Sequence, residues 1–221
     1  MAKELFTQVP RKLKSIIDEV ESGKLGLPEL QRGYVWKAPK VRELLDSMMK
    51  GYPIGYLMIW DSSDSQDKSK NIGIDSKSYS APKSLIIDGQ QRMTSLYAVM
   101  RHKEVMDEKY SQRFITISFN PFTRTFEVGD NAKKKAMDWI YDISDVFLNE
   151  SRSFDYITEF VQSVQEARVK SGGALTSAEK QVVQQNIMDL LGVHYERPSI
   201  STNSILLRKC SQDLLVACDS L

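Results

Sequence analysis

The chain has 221 residues and a mass of 25.2 kDa, with 41% hydrophobic and 27% charged residues, as in an ordinary globular protein. Its 30 basic and 29 acidic residues leave a formal charge of +1, which excludes a strongly basic nucleic-acid coat but not a local basic patch. No window reaches the roughly 18 apolar residues of a membrane span, and the start MAKELFTQVPRKLKS has no apolar signal core. We therefore expect a cytoplasmic protein with no membrane contact.

Two amphipathic helices are predicted near the N-terminus. Apolar residues at helical spacing predict a helix over about 10–22, with Pro10 in its first turn and Gly23 at its stop. A second pattern predicts a helix over about 39–50. The segment between them, LGLPELQRGYVWKAP, indicates a short strand or an ordered loop.

Strands and one long loop follow these helices. Short apolar runs at 56–60 and 84–87 are typical of buried strands. Residues 61–84 between them are rich in Ser, Asp and Lys, which predicts an exposed loop or hairpin. The alternating segments 113–119 and 124–128 flank the turn sequence NPFT and predict a β-hairpin.

From about residue 131 the pattern is helical. Apolar spacing predicts a helix around 154–164, SGGAL breaks it, and a Thr176–Glu179 capping box begins another that ends near Gly192. The predicted class is α+β, and the chain divides into an α+β part, a helical extension and a tail of uncertain structure at 1–130, 131–195 and 196–221.

The most informative segment is SLIIDGQQRMTSL, which begins at Ser84. It predicts an apolar strand, a sharp Asp-Gly turn and a helix that begins near Gln90. A helix N-terminus offers unpaired N–H groups and the positive end of the helix dipole, which together favour an anion. Gly89 lets the backbone approach a ligand closely. The pattern therefore indicates an anion site, with an ordinary capped turn as the alternative.

The side chains of this turn suit phosphate chemistry. Arg92 carries a planar, permanently charged fork that can bind phosphate bidentately. Gln90 and Gln91 supply neutral donors and acceptors, and Thr94 adds a hydroxyl. Asp88 can either hold a hydrated Mg²⁺ or cap the helix.

Two further groups of residues precede the turn. The first lies in the predicted extended segment and comprises Gln31, Arg32, Tyr34 and Trp36. The second follows the second helix and comprises Tyr52, Pro53, Ile54 and Gly55. An aromatic ring beside an arginine can stack on a base while the arginine holds phosphate, or can be a core or rim residue. The Pro-containing run is either a helix stop or a backbone wall for a base.

At these segments the chain resembles a known family. LPELQRGYVW, LLDSMMKGYPIG and LIIDGQQRMTSL have the order and approximate spacing found in the N-terminal domain of GmrSD-type restriction systems (domain of unknown function 262), which belongs to the ParB/sulfiredoxin-like superfamily. The resemblance is specific over about 1–100 and looser to about 196. It implies a ParB/sulfiredoxin-like nucleotide-binding domain that hydrolyses a nucleoside triphosphate, often in service of anti-phage DNA restriction.

The resemblance also implies site residues and partners. By motif match the carried-over residues are Asp88, Gly89, Gln90, Gln91 and Arg92, with Gln31 and Arg32 from the first block. A nucleoside triphosphate is the implied ligand, and nucleotide chemistry adds Mg²⁺ as cofactor. DNA, a separate nuclease subunit and a second copy of the chain are further expected partners.

Two departures from the family pattern bear on the activity. Many relatives carry a His-Asn-His-type nuclease domain, whereas the two histidines of this chain, His102 and His194, are far apart in the sequence. Relatives also follow the helical part with a strand and a Phe-x-Arg-Ile-Asn-type motif, and no such motif follows Tyr195. Three functions remain open: a nucleotide hydrolase, a nucleotide-gated DNA- or partner-binding module without turnover, and a ParB-like DNA nuclease.

Overall fold

The computed structural model describes residues 6–28, 33–61, 69–70, 82–195 and 202–207. These ranges contain seven α-helices, a six-stranded mixed sheet and two two-stranded antiparallel pairs. The α+β class is thereby confirmed.

The strands and helices of the first half are β1 (Phe6–Arg11), α1 (Leu13–Glu21), β2 (Leu25–Pro28), α2 (Ala38–Met49), β3 (Leu57–Asp61), β4 (Ser69–Lys70), β5 (Ser84–Asp88) and α3 (Gln90–Met100). Those of the second half are β6 (Val105–Met106), β7 (Gln112–Arg113), β8 (Ile117–Asn120), β9 (Thr125–Val128), α4 (Asn131–Lys135), α5 (Ser144–Leu148), α6 (Ser153–Lys170), α7 (Ser177–Tyr195) and β10 (Thr202–Leu207).

The main sheet has the strand order β1-β10-β3-β5-β2-β4. Strand β10 lies between β1 and β3, antiparallel to the first and parallel to the second. The sequence pattern from about residue 131 predicted only helices and left the tail unassigned, whereas the structure has a strand after the helical part. The sequence could not reveal β10 because its two partners lie at the opposite end of the chain.

The first predicted helix begins later than expected. Residues Phe6–Arg11, which include Val9 and Pro10, form β1, and α1 begins only at Leu13. A proline is tolerated in a strand at the edge of a sheet, which is where β1 lies. The apolar spacing that predicted the helix is correct from Leu13 onward.

The other predicted elements agree more closely with the structure. Helices α2, α3, α6 and α7 and strands β3 and β5 occupy the predicted regions. The β8–β9 hairpin is confirmed, with Asn120 opposite Thr125, although Arg113 belongs to β7 and pairs with Val105. Of the predicted loop 61–84, residues 62–68 and 71–81 lie outside the described ranges, and β4 pairs with β2.

One apolar core is shared by the early and late parts of the chain. Ile16 on α1, Met48 on α2, Met93 on α3 and Leu190 on α7 are all at most 1% exposed and belong to one buried cluster. The boundary predicted near residue 130 therefore marks a change of secondary structure within a common core. Among the described residues, no helix has the length and apolar composition needed to cross a membrane.

The predicted capping box before α7 is present. Oε2 of Glu179 accepts hydrogen bonds from the amide and the hydroxyl of Thr176, each at 2.8 Å, and the Glu179 amide donates back to that hydroxyl at 3.2 Å. Arg168 donates to Oε1 of the same carboxylate at 2.8 Å. The Thr176 amide, and then Arg168, lower the pKa of Glu179 to about 2.

This shift predicts an acid-dependent loss of stability. A carboxyl whose pKa is lowered by folding contributes stability above its unfolded pKa, about 4.3, and loses it as pH falls toward about 2. The variant Glu179→Gln should therefore be less stable than wild type at pH 7, and the difference should shrink by pH 2.5. Thermal unfolding at both pH values measures this. The control variant Glu43→Gln, at an exposed position, should have the stability of wild type at both pH values. A stability difference between Glu179→Gln and wild type that does not change with pH would contradict the lowered pKa of Glu179.

Candidate functional site

The predicted turn joins β5 to α3. Asp88 ends the strand, Gly89 is the N-cap residue with a φ of 86°, and the helix begins at Gln90. Gly89 has no side chain to cap the helix, and the first N–H groups of any α-helix lack an intrahelical acceptor. The Asp88 carboxylate is 72% exposed. Within the described part of the chain, the turn thus presents first-turn amides without a side-chain cap beside an accessible carboxylate.

The guanidinium of Arg92 ties this turn to the loop before β3. Its Nη2 donates to the carbonyl oxygen of Tyr56 at 2.7 Å, and its Nη1 donates to that of Ile54. The same Nη2 lies 3.7 Å from Oδ2 of Asp88, and the side chain is only 19% exposed. Arg92 therefore holds two separate segments together at the start of α3.

A glycine makes this contact possible. Gly55 has a φ of +88°, and a Cβ atom at this position would lie 2.5 Å from Nη1 of Arg92. Such a distance is shorter than real Cβ contacts, so any side chain at this position would displace the guanidinium. The glycine in the YPIG run is thus explained by the close approach of Arg92.

Gln91 ties the turn to a second segment. Its Oε1 accepts from the Val35 amide at 3.0 Å, and its Nε2 donates to the Gly33 carbonyl at 3.2 Å. Between these two residues, the Tyr34 hydroxyl lies 2.7 Å from Oγ of Ser95, which donates to the Gln91 carbonyl at 2.6 Å. Tyr34 is 5% exposed, and this burial raises its pKa.

Gln90 faces inward. It is 8% exposed, and its Nε2 donates to the carbonyls of Ile86 at 2.8 Å and Ile87 at 3.3 Å. Its amide group therefore holds the end of β5 against the first turn of α3.

The remaining predicted residues differ in their surroundings. Trp36 is half-buried, its carbonyl accepts from Arg113 at 2.8 Å, and Nζ of Lys40 lies 4.4 Å from its ring centre. Tyr52 is 60% exposed, and Thr94 is half-buried on α3. Pro53 and Gly55 are exposed, and Ile54 is half-buried. Gln31 and Arg32 lie outside the described residues.

Three residues near the turn were not identified from the sequence. Tyr56 was predicted within a buried strand, but β3 begins at Leu57 and Tyr56 is 52% exposed. Ser95 carries the contact between Tyr34 and α3. Arg113 anchors Trp36, and the Nε atom of Arg113 is buried without a hydrogen-bond partner among the described residues. Tyr56 could have been noticed as the aromatic that closes the YPIGY run, whereas the other two had no sequence signal.

The Mg²⁺ expected from the sequence would have one exposed carboxylate, that of Asp88, at the turn. Among the described residues, no group of three or more His, Cys, Asp or Glu side chains is arranged to hold a metal ion. Mg²⁺ keeps several waters and is commonly bound by one or two carboxylates together with substrate phosphates. The single exposed carboxylate of Asp88 fits this second pattern.

A groove of about 590 Å³ lies elsewhere, between α6 and α7. Its lining residues are Phe154, Ile157, Thr158, Gln181, Val182, Gln184, Gln185 and Met188. It shares no residue with the turn between β5 and α3, so the groove and the turn are separate features of the surface.

Comparisons with known proteins agree with the three sequence blocks. The GmrSD restriction endonuclease, N-terminal domain family matches residues 13–212. An uncharacterized protein of Methanocaldococcus jannaschii is 23% identical over 159 residues, which cover 66% of this chain and 26% of that protein. The chain thus spans about a quarter of the length of this relative.

Because Arg92 packs against Gly55, adding a methyl group at this position should lower the unfolding free energy more than at another glycine with a positive φ. Gly55→Ala should lose about 1–2 kcal/mol of unfolding free energy from its positive φ. We expect about 1 kcal/mol more because the guanidinium must leave its two carbonyl acceptors. Gly172→Ala is the matched control, since Gly172 has a φ of +82° and open space around it.

Urea unfolding of these variants measures both losses of unfolding free energy, the one from the positive φ and the one from the displaced guanidinium. In an Arg92→Ala background the extra cost of Gly55→Ala should vanish, because no guanidinium remains to be displaced. An extra cost that persists in that background would show that Gly55 is required for another reason.

Proposed function

Because the chain belongs to the GmrSD restriction endonuclease, N-terminal domain family, we propose that it binds and hydrolyses a nucleoside triphosphate at the turn Asp88–Arg92. We further propose that it has a ParB/sulfiredoxin-like fold and acts in DNA restriction, with DNA and a separate nuclease subunit as partners. The observation that supports this most is the uncapped start of α3 beside a partly buried guanidinium.

The proposed phosphate cradle combines backbone and side-chain donors. The first-turn amides of α3 point away from the helix and carry the positive end of its dipole. A guanidinium has five N–H donors, and the carbonyls of Ile54 and Tyr56 use two of them. The other three have no hydrogen-bond acceptor among the described residues and could donate to phosphate oxygens. Because Arg92 is 19% exposed, its charge is less screened by water than that of a surface arginine.

The Asp88 carboxylate is the proposed ligand of Mg²⁺, which would neutralise phosphate charge when bound. Phosphoryl transfer depends mainly on positioning and charge stabilisation. In the proposed hydrolysis a water molecule attacks the terminal phosphorus, the bond to the bridging oxygen breaks, and the nucleoside diphosphate leaves with inorganic phosphate. In this proposal the exposed carboxylate of Asp88 would orient that water or hold the magnesium ion.

The glutamines then act mainly by positioning. Gln91 uses both atoms of its amide on the backbone of Gly33 and Val35, and Gln90 directs its Nε2 into β5. They fix the segments that flank the ligand. Residues 33–36 and 52–55 are the proposed walls around base and ribose.

The backbone contacts of the two glutamines favour a second candidate, a nucleotide-gated DNA- or partner-binding module. Gln91 would have to give up a backbone contact to direct water, and Gln90 is only 8% exposed with its Nε2 bound to the Ile86 carbonyl. A bound nucleotide would then stabilise one arrangement of these segments without being hydrolysed. Phosphate release separates the two candidates.

The decisive variant is Asp88→Asn. Because Asp88 is 72% exposed, folding stability should change by less than about 0.5 kcal/mol. Phosphate release should fall at least roughly 10-fold, which is about 1.4 kcal/mol. Nucleotide binding without Mg²⁺ should stay equal or become tighter, because a negative charge near the phosphates is removed. The assay uses each of the four ribonucleoside triphosphates, with and without DNA.

Glu159→Gln is the matched control. Glu159 is also 72% exposed and lies 3.8 Å from an arginine, Arg152, as Asp88 lies 3.7 Å from Arg92. This variant should release phosphate like wild type. Wild type that binds nucleotide without releasing phosphate would favour the gated module, and absence of nucleotide binding would refute both candidates.

A further inference from the structure

Tyr56, one residue before β3, is placed against the turn by its backbone. Its carbonyl oxygen accepts from Nη2 of Arg92 at 2.7 Å and lies 3.3 Å from the position that a Cβ atom would take on Gly89. The backbone of this tyrosine therefore lies next to Gly89, the N-cap residue of α3.

Tyr56 lies near the Asp88 end of β5. Two residues further along the chain, Met58 pairs with Asp88 across the β3–β5 ladder, which shifts register between Met58 and Ile59. Leu57 and Ile59 are buried at 3% and 1% exposure, so the core takes the side chains on either side of Met58, whereas Tyr56 lies at the surface.

The ring is exposed although its backbone is fixed. Tyr56 is 52% exposed, while its carbonyl and that of Ile54 are both held by Arg92. A segment whose backbone is already ordered loses less conformational entropy when a ligand binds. Tyrosine also has few rotatable bonds, so its exposed ring is a rigid apolar surface.

We propose that Tyr56 stacks on the base of the nucleotide whose phosphates occupy the start of α3. This inference rests on the proposed function and adds a base-binding residue to it. A flat π-face next to a phosphate cradle is suited to a nucleobase, because base–aromatic stacking accepts any base. It also assigns the loop held by Arg92 a direct part in ligand binding.

The test compares ligands with and without a base in the presence of Mg²⁺. Calorimetry measures the dissociation constants of the four ribonucleoside triphosphates and of inorganic triphosphate, which has no base. Tyr56→Leu should weaken binding of the preferred nucleotide roughly 10-fold and leave inorganic triphosphate unchanged. Tyr56→Phe keeps the ring and should bind like wild type.

Tyr110→Leu is the control, since Tyr110 is 82% exposed and lies on the β6–β7 turn. It should change neither affinity. Equal losses for both ligands in Tyr56→Leu, or no loss, would overturn the stacking role. Wild type that binds inorganic triphosphate as tightly as every nucleotide would also overturn the stacking role, but it would still support a phosphate site. If wild type binds neither ligand, the stacking role and the proposed function fall together.

Discussion

The local architecture depends on one interaction, the contact of the Arg92 guanidinium with the backbone carbonyls of Ile54 and Tyr56. It joins the start of α3 to the loop that enters β3. Gln91 makes the corresponding connection to Gly33 and Val35. Through these two side chains the three blocks of sequence that identify the family meet at one helix end. Arg92 and Gln91 therefore bring the segments of the site together, and the proposed chemistry depends on these contacts.

The arrangement of charge follows from the same contacts. The Arg92 guanidinium donates to two neutral carbonyls, and among the described residues its nearest carboxylate oxygen at the turn is Oδ2 of the exposed Asp88, 3.7 Å from Nη2. The uncapped helix start adds a partial positive charge beside it. An anion bound here could interact with the guanidinium and with the helix start while Arg92 keeps its contacts with Ile54 and Tyr56. The exposed Asp88 then provides the negative group that a hydrated cation needs, so nucleotide and Mg²⁺ are expected to bind together.

Local patterns in the sequence predicted much of this region. The apolar run before Asp88 and the Asp-Gly turn located β5 and the start of α3, and Thr176 with Glu179 located α7. Contacts between distant segments were not predictable. The pairing of β10 with β1 and β3 leaves no local signal, and nothing in the sequence states that Arg92 meets backbone carbonyls. The exposure of Tyr56 was missed because an apolar run does not show where its strand begins.

The most direct measurement is a crystal structure with a non-hydrolysable nucleoside triphosphate and Mg²⁺. The account predicts phosphate oxygens within hydrogen-bond distance of the first-turn amides of α3 and of Arg92, with that guanidinium still bound to the carbonyls of Ile54 and Tyr56. Triphosphate bound elsewhere, or bound there only after Arg92 has left both carbonyls, would contradict it.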